Sequence, residues 1–370
     1  MEGNNPNEGV NQVIGAKKQA VEDKPKEKKP LVTVIKNFYA SNYKKLLIIP
    51  VLILILAIIQ IAVQTATTGD FIRKDVSLKG GLTVTVLTDK DANPDLLQAD
   101  IMSDFPGSDI SVRLLKSLTT TSGITISADL ASEKSDQLLA SIEKNLDIKL
   151  TKDNYTVETM GSSLGASFFK ETFKTIYIAF LFMAMVVFLF FGTSFKYKIV
   201  SVILTLTSAY CLLINKSFAT DMVAYILGPV LMIIYAINSI PSITVILCAF
   251  SDITVTLAVV NLIGMRISTA GIAAFLMLIG YSVDTDILLT TRLLKRKEGT
   301  SMDKTFGAFK TGIMMTLTTF LAVGIALIFT GSDTIAQIMT IVLIGLVADI
   351  IYTWLQNAAI LLMYLEKKRK

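Results

Sequence analysis

Histidine is absent from the 370-residue chain, tryptophan occurs once and cysteine twice. Without an imidazole there is no histidine ligand for zinc and no histidine general base. Cys211 and Cys248 lie inside apolar runs, lack the spacing of a thiolate metal site and cannot form a disulfide framework. We therefore expect no metal and no cofactor. Charge is also scarce, at 18% of residues against 52% hydrophobic, with a mean hydropathy of +0.59. That balance excludes an ordinary soluble domain of this length. The formal net charge of +5 is gathered in short segments beside apolar runs. Membrane orientation explains this better than nucleic-acid binding.

What the chain has is long apolar segments. Met1 to Pro30 is polar, with no apolar stretch, and reads as a disordered cytoplasmic tail rather than a cleavable signal. After Lys44 and Lys45 a first span runs over about Leu46–Thr65. Seven more are expected at about Phe173–Phe191, Ile199–Ile214, Met222–Ile237, Ser242–Ile263, Ser268–Leu289, Gly312–Phe329 and Ile335–Leu365. An even number of spans puts both termini on one side, together with Lys196–Lys198 and Arg292–Lys297. By the positive-inside rule that side is cytoplasmic. The third segment is short and Gly228-Pro229 interrupts the fourth, which leaves a re-entrant pair open as an alternative.

Between the first two spans the pattern changes. Alternation in "LTVTVLT" and "ITISADL" predicts strands near Leu82–Thr88, Ile110–Lys116, Gly123–Ala128 and Tyr155–Met160. Helices are expected at Pro94–Phe105 and Ser132–Leu146, the second with Leu138, Leu139, Ile142 and Leu146 on one stripe. The order βαββαβ is the ferredoxin-like pattern. The chain thus divides into a tail and juxtamembrane segment (1–43), a first transmembrane helix (44–65), an extracytoplasmic domain (66–170) and a second transmembrane helix (171–193). An inserted hairpin (194–239) and a four-helix bundle (240–370) complete it.

Carboxylates inside apolar spans are the sharpest chemical signal. An Asp at the centre of a membrane helix costs about 2.5–3.5 kcal/mol, so each needs a partner, water or a proton. Asp252, Asp284, Asp286 and Asp349 are in this position. Residues 284 and 286 lie about 200° apart on a helix, so they face different ways. Asp284 is expected to face the bundle, with Asp286 nearer the cytoplasmic interface. Asp252 and Asp284 are assigned to ion or proton coupling, with Asp286 as a further candidate. Asp349, Thr353, Gln356 and Asn357 form a polar stripe read as interhelical hydrogen-bond packing, with Trp354 outside it. Gly312, Thr316 and Thr319 form a second stripe of small residues, and Gly80-Gly81 reads from spacing alone as a turn into a strand.

Several segments together carry a resemblance. "SLKGGLTV" with Gly80 and Gly81, "MGSSLGASF", "AFSDI", "LIGYSVDTDILLTTRLLKR" with Gly280 and Tyr281, "MMTLTT" and "ADIIYTWLQNA" resemble, in order and spacing, the archaeal branch of the SecF family of protein-export membrane proteins. The resemblance implies a multi-span α-helical membrane protein, an RND/SecDF-like half-transporter bundle with a small α+β ferredoxin-like extracytoplasmic domain. It further implies a non-enzymatic subunit of the SecDF accessory complex in the cytoplasmic membrane, driven by the proton gradient. The partners it implies are a SecD-like subunit, a SecYE-type translocon channel, exported unfolded polypeptides and membrane lipids. Asp252 matches the family's Asp in its span. Asp284-Thr285-Asp286 departs from the Asn-Asp pair of bacterial SecF toward the SecD pattern. Ser194 to Ile237 adds a hairpin to the family's usual six spans, read as a peripheral lipid-facing addition. Two other classes remain open: an RND-type proton-coupled transporter of small molecules or lipids, and a passive scaffold whose carboxylates only specify packing.

Overall fold

The computed structural model describes residues 31–90, 92–117, 120–213 and 218–369. The expected tail at Met1 to Pro30 lies outside them. Helix α1 covers Leu31–Leu46 and α2 covers Ile48–Thr68. Gly69 ends α2 at φ 80°, a left-handed cap that a side chain would strain. A short α3, Val76–Lys79, leads into the small domain.

That domain is built from β1 (Gly81–Val86), α4 (Pro94–Asp104), β2 (Ile110–Ser117), β3 (Thr120–Ala128), α5 (Ser135–Leu146) and β4 (Tyr155–Met160). The strands pair antiparallel in the order β2-β3-β1-β4, the arrangement that the βαββαβ order predicts. Alternation sends Leu82, Val84, Val86, Val112, Ile124 and Ile126 to one face, where Leu97 and Ile101 of α4 and Leu138 and Ile142 of α5 cover them. Thr83, Thr85, Arg113, Thr125 and Ser127 therefore point to the other face.

The two glycines before β1 do more than turn the chain. A Cβ on Gly80 would lie 2.5 Å from Ser162 Cα, and one on Gly81 would lie 2.3 Å from Ala128 O. One on Gly165 would lie 2.8 Å from the backbone nitrogen of Gly80. The "KGG" and "GSSLG" motifs thus meet backbone to backbone, which seats the domain on the start of α6 (Ser162–Phe191).

The remaining helices are α7 (Phe195–Leu213), α8 (Phe218–Asn238), α9 (Ile240–Leu262), α10 (Thr269–Lys295), α11 (Ser301–Phe329) and α12 (Asp333–Ile351). Helix α12 continues through a π-helical segment, Tyr352–Asn357, into α13, Ala358–Arg369. Among the described residues, eight helical stretches are long and apolar enough to cross a membrane. The protein is a multi-pass membrane protein. Both hairpin helices, of 19 and 21 residues, are among them.

Helix α8 runs through Pro229 without a break, for a visible reason. Proline has no N–H for the Tyr225 carbonyl. The hydroxyl of Tyr177 on α6 lies 3.5 Å from that oxygen and 3.2 Å from Ala224 O. Gly228 makes the space, since a Cβ there would lie 2.0 Å from the Tyr177 hydroxyl. The hairpin is further tied by Lys174 to Asp221 at 2.9 Å, with Lys174 only 5% exposed. Truncating one partner of a buried ion pair leaves the other charge stranded. We expect Lys174→Ala to cost about 3–5 kcal/mol, read as a lower thermal midpoint in detergent. The double variant Lys174→Met, Asp221→Leu should recover most of it, and equal loss in both would assign the effect to packing alone.

Candidate functional site

Three helices bring the polar residues together in the interior of the bundle. Helix α9 contributes Asp252, α10 contributes Ser282 and Asp286, and the α12/π segment contributes Asp349, Thr353 and Asn357, all of them at most 1% exposed. Ser282 Oγ donates to Asp252 Oδ2. Asn357 Nδ2 donates to Asp286 Oδ1 at 2.7 Å. Thr353 Oγ1 stands between two carboxyls, 3.0 Å from Asp286 Oδ1 and 2.9 Å from Asp349 Oδ1. Asp252 Oδ1, Asp286 Oδ2 and Asn357 Oδ1 are buried without a hydrogen-bond partner. Such groups are costly in a low-dielectric interior.

Ligand atoms of Cys248, Asp252 and Asp286 lie within 4.8 Å of one another, the one grouping of potential metal ligands among the described residues. Cys248 and Asp252 lie one turn apart on α9, and only the packing of α10 against that helix brings Asp286 to them. The thiol, however, already makes a 4.0 Å contact with Thr353 Oγ1. Gln356 of the stripe turns away from the carboxylates and donates to Ser251 Oγ at 3.3 Å.

One sequence expectation needs correction. Asp286, not Asp284, faces the bundle: Asp286 is 0% exposed, whereas Asp284 is exposed on the outer face of α10. The register of α10 decides this. Its buried stripe runs Leu278, Ser282, Asp286, Leu289 and Leu293, and a residue two positions from Asp286 falls nearly opposite. Gly280 and Tyr281 share the exposed face with Asp284. The polar stripe of α12 makes interhelical hydrogen bonds, and Thr353 joins Asp349 to Asp286 of α10.

The cause is the π-helical turn, which sequence reasoning missed. Widening the helix there buries Thr353, Gln356 and Asn357 together, and Trp354 with them at 5% exposed. Ser282 was also missed. Its position four residues before Asp286 was the available signal.

Comparisons with known proteins follow this geometry. A family model described as protein export membrane protein SecD/SecF, C-terminal, matches residues 208–367. The protein-export membrane protein SecF of Methanocaldococcus jannaschii is 33% identical over 335 residues, 89% of this chain and 98% of its own length. The chain belongs to the SecF family. The SecF of Thermococcus gammatolerans is 31% identical, over 96% of this chain and 97% of its own. Among solved structures, SecDF of Thermus thermophilus, described as a translocon-associated membrane protein, superposes with a TM-score of 0.57 at 14% identity. The match covers 89% of this chain and 38% of that one, and shows that the two share a fold. This SecF-family chain therefore corresponds to a part of that larger structure.

The site depends on one close helix contact. A Cβ on Gly312 of α11 would lie 2.5 Å from Trp354 Cζ2. Gly312→Ala should overpack the π turn at a cost of about 1–3 kcal/mol. Because Trp354 is the single tryptophan, its emission maximum should shift, and an unchanged spectrum with unchanged stability would refute the contact.

Proposed function

We propose that this chain is a non-enzymatic subunit of a protein-export complex, pairing in the membrane with a SecD-like half and coupling export to the proton gradient. The observation that carries the reading is the division of labour between two neighbouring carboxylates on α10. Asp286 joins the buried cluster, and Asp284 is presented midway along the span on a face that nothing among the described residues covers. An ionised Asp facing lipid at that depth costs about 2.5–3.5 kcal/mol. A partner helix with polar groups or a water path removes that cost, and a SecD-like bundle, by the resemblance to SecDF, supplies one.

Proton transfer fits the internal cluster. Thr353 has one hydroxyl hydrogen but faces a carboxyl oxygen on each side. It donates to one, and the other contact is satisfied when that carboxyl carries a proton. Asp252, Asp286 and Asp349 thus form a proton store inside the half-bundle, and Asp284 exchanges with the partner half. One charge crossing about 100 mV releases about 2.3 kcal/mol. That is enough to bias a two-state rocking of the outer domain by more than tenfold. The RND-type transporter and the passive scaffold differ from this in what they require: the first needs a small-molecule pocket, the second no gradient.

In this reading both termini are cytoplasmic and the ferredoxin-like domain is outside. A cysteine at Glu133 should react with an impermeant maleimide added to intact cells, and one at Lys297 only after permeabilisation. Reaction of both from outside would overturn the topology.

The coupling is tested by Asp252→Asn, Asp286→Asn and Asp284→Asn, which keep size and hydrogen bonding but not titration. Each should assemble with the SecD-like partner, insert normally and lose the gradient-dependent part of export. A full response to an imposed gradient in all three would make the carboxylates packing groups.

A further inference from the structure

We propose that the polar cleft between the sheet's open face and the outer ends of α10 and α12 is a binding site for a segment of extended polypeptide, which it grips through the peptide backbone. The inference rests on the export reading and identifies where on this chain the exported polypeptide is held.

The cleft has a volume of about 380 Å³ and lies outside the transmembrane carboxylate cluster. Its floor is the sheet face opposite the helices, carrying Thr83, Thr85, Thr125 and Ser127. The register sets these as facing cross-strand pairs, Thr83 with Ser127 and Thr85 with Thr125. Their hydroxyls are 3.4 and 3.5 Å apart, at the outer limit of a hydrogen bond, so most of their bonding capacity is free for a ligand. Ser268, Thr269 and Thr334, at the starts of α10 and α12, form the facing wall.

This lining fits the proposed occupant. Every residue of an extended chain presents an N–H donor and a C=O acceptor. A hydroxyl does both, so a Ser/Thr surface binds backbone without reading sequence, as an export factor must. The described lining has no aromatic side chain on which a base would stack, and its walls are too hydroxylic to hold an acyl chain.

The cleft is also closed by breakable contacts. Arg113 on the floor pairs with Asp333 in the first turn of α12 at 3.0 Å. Beside the cleft and outside its lining, Arg266, just before α10, pairs with Asp109 at 2.6 Å. Gln337 of α12 accepts from the Ser268 hydroxyl and donates to Arg266 O, joining the two helix starts. The wall is therefore made of the two helices that carry Asp286 and Asp349 deeper in the membrane. Displacement of either helix along its axis changes the width of the cleft, which connects the ion site to grip and release.

The test uses the full chain in lipid nanodiscs, with no gradient. A photocrosslinking amino acid is placed at Thr334 on the wall and, as a control, at exposed Glu133 in the helix layer. The probe is reduced, carboxymethylated lactalbumin. Crosslinking is expected from position 334 and not from 133. Ser127→Trp, which fills the cleft, should lower the yield about tenfold, the equivalent of about 1.4 kcal/mol. Thr83→Val with Thr85→Val keeps shape and β-branching while removing two hydroxyls, and should lower the yield in the same direction with the thermal midpoint unchanged. Lys149→Gln, at an exposed position outside the cleft lining, should leave it intact. Equal yields at 334 and 133, indifference to the floor variants, or an adduct only with another membrane subunit would overturn the cleft as a polypeptide site. Crosslinking as expected together with gradient-independent export would instead retain the cleft and refute the coupling mechanism.

Discussion

Everything in the bundle is arranged around the cost of taking carboxylates out of water. Three of them, Asp252, Asp286 and Asp349, are fully enclosed, and among the described residues no lysine or arginine pairs with them. The chain answers with neutral donors: Ser282, Thr353 and Asn357 each aim a hydrogen at a carboxyl oxygen. A basic partner would lock the charges permanently. Hydroxyl and amide donors leave them ready to take up or release a proton, which the proposed mechanism needs.

Holding those donors in place shapes the helices. The π turn at Tyr352–Asn357 is a departure from the regular helix at the point where the last span meets Asp286. It is supported by the closest packing in the neighbourhood, with Trp354 against Gly312 and Leu278 against Gly345. Tyr352 ties the same turn to the first span through Pro50 O at 3.0 Å. By contrast, the inserted hairpin packs elsewhere, with Leu231 and Tyr235 buried beside Val245, Ala249 and Val283. It is fixed to α6 by Tyr177 and the Lys174–Asp221 pair, and its outward residues, such as Ile203, Leu206 and Ile226, are exposed as lipid-facing residues are.

The small domain is tied to the bundle at the starts of α10 and α12 and at the beginning of α6. Its connection is polar and ionic at the first two and backbone to backbone at the third. Ionic contacts near the surface are weak and exchangeable, whereas interlocked glycines are not. The α6 contact is thus the more rigid of the two attachments.

The number and placement of the spans, the βαββαβ order and the covered face of the sheet followed from the sequence. Apolar length and strict alternation are local properties that the bilayer and the pleat enforce residue by residue. The identities of the membrane carboxylates were equally legible, because an Asp in an apolar run is conspicuous wherever it points. Which of Asp284 and Asp286 faces inward was not. Rotation of α10 is set by all the helices packed against it, and the sequence of α10 alone offers two faces with a carboxylate on each. The union of Asp349 with Asp286 also depended on tertiary structure. It is made by a π turn, which has no hydrophobic period of its own, and by one threonine hydroxyl placed between residues 67 and 4 positions away along the chain.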